Sequence, residues 1–194
     1  MINFDHKIIL ASASPRRQDF LSALGIPFEI RLKEVEEVFP SALKREQIAD
    51  YLAVLKAKPF LNELKKDEIL ITSDTIVWLD NQALGKPKNP KEAFSMLKLL
   101  SGKMHEVITS ICLSSSKKQL IQHDITKVFF KELSDQEINF YLDNYQPFDK
   151  AGSYGIQEWI GLIGVTKIEG SYFNVMGLPT EKLYTSLKEF TAEG

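Results

Sequence analysis

The run 69–79 constrains this chain more than any other segment. It reads Ile-Leu-Ile-Thr-Ser-Asp-Thr-Ile-Val-Trp-Leu, ends in Asp80-Asn81, and is followed by a short return near Ala83-Leu84. A β-branched, apolar run bounded by a turn predicts a central strand. Its one charge, Asp74, is expensive to bury unless a cation or hydrogen bonds satisfy it. Asp74 therefore either faces solvent on an alternating strand or emerges into a cleft, where a carboxylate can bind a divalent metal or activate water. The apolar neighbours Ile69, Leu70, Ile71, Ile76 and Val77 favour the second placement.

The flanking segments mix helices and strands. Ile8-Ile9-Leu10-Ala11 reads as a buried strand, followed by Ser14 as a helix cap and Pro15 at the first helical position. Phe20, Leu21 and Leu24 form that helix's apolar face, Gly25 ends it, and 27–32 reads as a second strand. A helix is expected over 44–55 with Ile48, Leu52 and Leu55 on one side, and Pro59 opposes its continuation. Asn89-Pro90 opens another, with Glu92 at its positive end and Phe94, Leu97 and Leu100 facing the core. Segments 107–113 and 120–130 predict a hairpin, and Ser134-Asp135-Gln136-Glu137 is a capping box opening a helix to Tyr145. A strand near 162–168 and a helix over 179–190 complete the chain. Without strict βαβ alternation, the expected fold is α/β, a mixed, curved sheet flanked by helices around a central cleft. The 194 residues fit one domain, 1–194, or two small lobes around that cleft.

The net charge of −2 gives no global basic field, which argues against bulk nucleic-acid binding but leaves room for a local cation cluster on a small anion. The single cysteine, Cys112, cannot form an internal disulfide and lies in an apolar run, as a buried thiol does. No cationic-then-apolar leader opens the chain and no uncharged apolar stretch approaches membrane-spanning length, so no membrane partner and a cytoplasmic location are expected.

Six further features bear on chemistry. Ser12-Ala13-Ser14-Pro15-Arg16-Arg17 runs from a strand into a helix N-terminus, whose unpaired N–H groups hold phosphate oxygens. Ser12 and Ser14 add hydroxyls, and Arg16 and Arg17 add planar cationic forks. The same pattern also suits a plain cap followed by two solvated arginines. Gly85-Lys86-Pro87 presents a lysine on a tight turn, and Lys56 ends the 44–55 helix; each taken alone also fits a solvated lysine. Segment 149–157, Asp-Lys-Ala-Gly-Ser-Tyr-Gly-Ile-Gln, is either a connecting loop or a close backbone approach to a ligand, with the Gln157 amide able to read a base edge. Segment 170–179, Gly-Ser-Tyr-Phe-Asn-Val-Met-Gly-Leu-Pro, runs into a helix and also suits structural punctuation. The acidic pair Glu36-Glu37 is a charged loop or a metal partner for Asp74. His6, His105 and His123 lack ligand spacing, and neither a P-loop nor a G-x-G-x-x-G turn is present.

Together and in this order, from Ile8 to about Phe190, these strings resemble the Maf family of nucleoside triphosphate pyrophosphatases. The resemblance implies hydrolysis of the α–β phosphoanhydride to a nucleoside monophosphate and pyrophosphate, with Mg²⁺ or Mn²⁺. It makes Asp74 the acidic residue that activates water and a metal ligand, with Glu37 as a second carboxylate near the metal. Arg16, Arg17, Lys56 and Lys86 match phosphate-binding positions. Arg16, Thr75 and Gln157 match the subfamily acting on dTTP and UTP, and a homodimer is also implied. Ala13 stands where glycine is common, and Thr72-Ser73 where Gly-Ala is common; neither change removes a charged group. Two other classes fit fewer features: a nucleotide-binding regulator of cell division without turnover, and an RNA-binding module.

Overall fold

The computed structural model describes residues 5–192; the extreme ends of the 1–194 span lie outside the described residues. Its strands are β1 (Lys7–Leu10), β2 (Phe28–Ile30), β3 (Glu68–Leu79), β4 (Gln82–Leu84), β5 (Met104–Ser114), β6 (Gln119–Phe130) and β7 (Val165–Glu169). They form one seven-stranded sheet in the order β2-β1-β3-β5-β6-β7, with β4 also paired to β3. β1 runs parallel to β2 and β3, whereas β4 is antiparallel to β3 and β7 to β6, so the sheet is mixed as expected. The helices are α1 (Pro15–Ala23), α2 (Glu46–Ala57), α3 (Pro90–Leu100), α4 (Asp135–Tyr145), α5 (Trp159–Gly164), α6 (Tyr172–Val175) and α7 (Thr180–Ala192). Among the described residues no helix is long and apolar enough to cross a membrane.

The chain divides into two compact units, each with its own core. The first comprises the chain up to Asp74, Thr109–Asp124 and the chain from Gly177; the second comprises Thr75–Ile108 and Ile125–Met176. In the first unit β3 is apolar on both faces because both are covered. Ile69 and Ile71 pack with Leu21, Leu183 and Leu187, while Leu70 packs with Ala53, Ala57 and the buried Cys112. Alternation carries the second pattern forward: the Thr72 hydroxyl donates to the Ala53 carbonyl of α2 at 2.7 Å, and Asp74 follows on the same side of the strand. The second unit is built on Leu97 and Leu100 of α3, Val107, Val128 and Tyr141 of α4.

Local signals held where the backbone decides alone. Asn89 accepts from the Glu92 N–H at 2.9 Å, and the Ser134–Glu137 capping box is complete. Asp80 and Asn81 both take positive φ, 47° and 64°, the pair a tight hairpin turn requires. Two expectations are corrected. Ser14 precedes α1, but its side chain makes no cap bond; Ser12 Oγ instead accepts the Ser14 N–H at 3.3 Å. Residues 162–164 are not strand but the end of α5, because the Glu158 carbonyl accepts the Gly161 and Leu162 N–H groups and starts a helical turn. An apolar hexapeptide carries no period that separates the two outcomes.

Candidate active site

The first unit gathers most of the candidate residues around the end of β1, the start of α1 and the middle of β3. Arg17, on the first turn of α1, spreads its guanidinium over three acceptors. Nε donates to the Gly177 carbonyl at 2.8 Å, and Nη1 donates to the Ser73 carbonyl at 2.9 Å and to Ser12 Oγ at 3.4 Å. A planar fork can serve these separated acceptors at once, which an ammonium on a flexible stem cannot. The arginine thus braces the β1–α1 turn against β3 and the segment preceding α7. Burial pushes its pKa down from the ordinary value, and Asp74 opposes that shift.

Asp74 is buried, only 5 % exposed, which removes the solvent-facing alternative. Its Oδ1 accepts from Lys56 Nζ at 2.5 Å, and the same ammonium lies 3.1 Å from Glu37 Oε1. Lys56 reaches this point from the last turn of α2, and Glu37 from the exposed loop after β2. Burial raises the Asp74 pKa above its ordinary value; the Lys56 ammonium and, more weakly, Arg17 oppose the rise, and Glu37 adds to it. The result is a desolvated carboxylate with raised proton affinity, held by hydrogen bonding to a neighbouring cation. Arg16 follows Pro15 on the same first turn of α1 and lies close enough to Arg17 to depress its pKa.

In the second unit Thr75 follows Asp74 on β3 and is partly exposed, and Lys86 and Gln157 are exposed on loops. These two loops are joined, since the Gly152 N–H donates to the Gly85 carbonyl at 3.0 Å. The 149–157 segment is not a loose connector. It carries a 3-10 turn at Ala151–Ser153, a buried Tyr154 and a hydrogen-bonded turn at Gln157. His105 is buried with its Nε2 2.7 Å from the Tyr154 hydroxyl, and burial holds its pKa at about 3, so it stays neutral.

Sequence reasoning gave no role to Lys150, Tyr141 or Glu158, which form a bonded group in this unit. Lys150 lies inside the 149–157 segment, but nothing in the sequence pairs it with Tyr141. Ser73, which stands where Gly-Ala is common, has its Oγ buried with no hydrogen-bond partner among the described residues.

The model of the family described as Maf-like protein matches residues 7–190. The chain belongs to the Maf-like protein family. A curated dTTP/UTP pyrophosphatase of Flavobacterium psychrophilum is 61% identical to this Maf-like chain over 185 residues, 95% of each chain. Proteins of the same name from Flavobacterium johnsoniae and Christiangramia forsetii are 59% and 58% identical, over 94% of each chain and over 95% and 94% of this chain and theirs respectively. The solved structure of the Staphylococcus aureus Ham1 protein superimposes with a TM-score of 0.53 at 13% identity, over 97% of the Maf-like chain and 100% of the other, a likeness of fold.

Proposed function

We propose that this chain is a nucleoside triphosphate pyrophosphatase that hydrolyses dTTP and UTP to the monophosphate and pyrophosphate. The observation that carries the reading is the buried Asp74 carboxylate bonded to Lys56 beside the Arg17-braced turn. Relatives at about 60% identity over nearly the whole chain that bear the name dTTP/UTP pyrophosphatase support the same substrates.

Phosphoryl transfer needs positive charge on the phosphate oxygens and an oriented, deprotonated nucleophile. The N–H groups at the start of α1, with Arg16 and the hydroxyls of Ser12 and Ser14, supply donors to the phosphates. Arg17 holds the turn that presents them. Lys56 is shared between roles: without substrate it neutralises Asp74, and an arriving triphosphate competes for the ammonium and frees a carboxylate lone pair for water. Asp74 then takes the water proton, helped by the raised proton affinity that burial gives it. The family resemblance assigns Lys86 to the phosphates, and Thr75 and Gln157, whose polar groups can hydrogen-bond a base edge, to the ring of thymine or uracil.

Glu37 and Asp74 both approach Lys56 Nζ, so two carboxylate oxygens converge near one point. Hard oxygen donors of this kind, completed by phosphate oxygens and waters, are the set that Mg²⁺ or Mn²⁺ takes. Among the described residues no group of three or more His, Cys, Asp or Glu could hold a metal. When bound, the cation supplies charge neutralisation to the phosphates.

Product analysis tests the reading. dTTP or UTP incubated with the protein and Mg²⁺ or Mn²⁺ should give the monophosphate and pyrophosphate in equal amounts. Orthophosphate with the diphosphate, or binding without turnover, overturns it.

A further inference from the structure

The exposed Gln157 sits on a tight turn, and a single buried hydroxyl holds both ends of that turn. The turn is closed by the Glu158 N–H, which donates to the Gly155 carbonyl at 3.0 Å and leaves Ile156 and Gln157 as its central residues. Ile156 points into the core, whereas Gln157 is exposed. At the first end, the Gly155 N–H donates to the Tyr141 hydroxyl at 3.0 Å. At the second end, that same hydroxyl donates to Glu158 Oε2. Glu158 Oε1 in turn lies 3.1 Å from Lys150 Nζ, which ties the turn to the beginning of its own loop.

The bonding requires each partner's chemistry. Tyr141 is fully buried in α4, and burial, together with the Glu158 carboxylate, pushes its pKa up, so it keeps the proton it donates. A phenol can accept from a backbone N–H and donate to a carboxylate at the same time. A Cβ at Gly155 would lie 2.7 Å from the Glu158 carboxyl carbon, so a side chain there would push that carboxylate out of its present position. The loop is also fixed to the Lys86 turn by the Gly152 N–H on the Gly85 carbonyl. A surface glutamine on an untethered turn samples many orientations, and ordering it on binding costs free energy that weakens discrimination.

We infer that Tyr141, Glu158 and Lys150 are positioning residues for base selection, holding the turn so that Gln157 presents its amide in one orientation. This rests on the reading above, in which Gln157 meets the pyrimidine. The side-chain bonds of these residues run to one another, to Gly155 and to Asp149, and none reaches Asp74, Lys56 or Arg17, so their effect should fall on selectivity and KM and leave kcat largely in place.

A double-mutant cycle tests the inference, with kcat and KM measured for dTTP and dCTP on four proteins: wild type, Tyr141→Phe, Gln157→Ala and the double variant. Tyr141→Phe should lower the dTTP-over-dCTP ratio of kcat/KM by about tenfold, mostly through KM for dTTP, with kcat changed less than about threefold. On the Gln157→Ala background the same substitution should change the ratio by less than about twofold, since no amide remains to be positioned. Glu158→Gln, which keeps the shape and loses the Lys150 ion pair, should show the same pattern more weakly and guards against poor folding of the first variant. If Gln157→Ala lowers the ratio but Tyr141→Phe and Glu158→Gln do not, the positioning role is overturned while the base reading stands. If Gln157→Ala leaves the ratio unchanged, the base reading falls and the inference falls with it. Equal losses with and without Gln157 mark a general structural role and also overturn it.

Discussion

Lys56 Nζ lies 2.5 Å from Asp74 Oδ1, so the carboxylate proposed to activate water is bonded to a cation that a triphosphate would also attract. Two opposed effects meet at Asp74: burial raises its pKa and the Lys56 ammonium lowers it.

Removing Lys56 therefore leaves the upward effect less opposed. A base must be ionised to act, so the acid limb of the kcat/KM profile tracks the Asp74 pKa. In Lys56→Met that limb should move to higher pH, with kcat/KM at neutral pH reduced by at least about tenfold. A pH–rate profile of both proteins on dTTP reads the shift. An acid limb that stays in place or moves down removes Asp74 as the titrating base.

Asp74→Asn should lose at least about a hundredfold in kcat, the usual scale for removing a general base. The amide keeps the volume and an acceptor for Lys56, so thermal unfolding should change little, and circular dichroism melts check that the loss is chemical. Retention of more than a tenth of the activity moves the base elsewhere.

Arg17→Lys keeps the charge but cannot serve Ser12, Ser73 and Gly177 together. It should cost about 1–2 kcal/mol of stability from lost hydrogen bonds, and raise KM as the turn at α1 loosens. Urea unfolding and steady-state kinetics on the same preparation measure both effects. A variant equal to wild type in each shows that charge alone is needed.

Away from this site, Glu68 opens β3 with its side chain buried and paired to Arg31, at 2.5 and 3.0 Å to the two oxygens. Hydrogen bonding to Arg31 overcomes the burial and lowers the Glu68 pKa from 4.5 to about 2. A depressed carboxylate pKa stabilises the fold above the ordinary value and loses that contribution as pH falls from about 4.5 toward about 2. Arg31→Ala should therefore destabilise by about 2 kcal/mol at pH 7, and by clearly less at pH 3. Denaturant melts at the two pH values test it, and an equal loss at both would contradict the pairing.

Gly152 combines a φ of +68° with a hypothetical Cβ only 2.9 Å from Val77 Cγ2. Gly152→Ala should cost about 2 kcal/mol through left-handed strain and overpacking. Gly85→Ala is the control, since its Cβ would meet nothing within 4 Å. Comparable melting temperatures for the two variants would remove the packing argument.

The sequence by itself determined the features that neighbours along the chain decide. The Asn89 and Ser134 caps, the Asp80-Asn81 turn and the apolar faces of α1 and α3 involve residues a few positions apart, where backbone geometry brings the partners together. The candidate residues were legible as strings of the right chemical types, and the buried setting of Asp74 followed from its apolar neighbours. Tertiary structure decided their relations. Lys56 meets Asp74 across 18 residues and Arg17 meets Gly177 across 160, distances that only strand register and helix packing can close. It also decided the α5 helix over 159–164, where an apolar run carries no period of its own, and the tether of Gln157 through Tyr141. A hydroxyl buried in one helix takes its partners from whatever the core brings against it, and no local pattern encodes that choice.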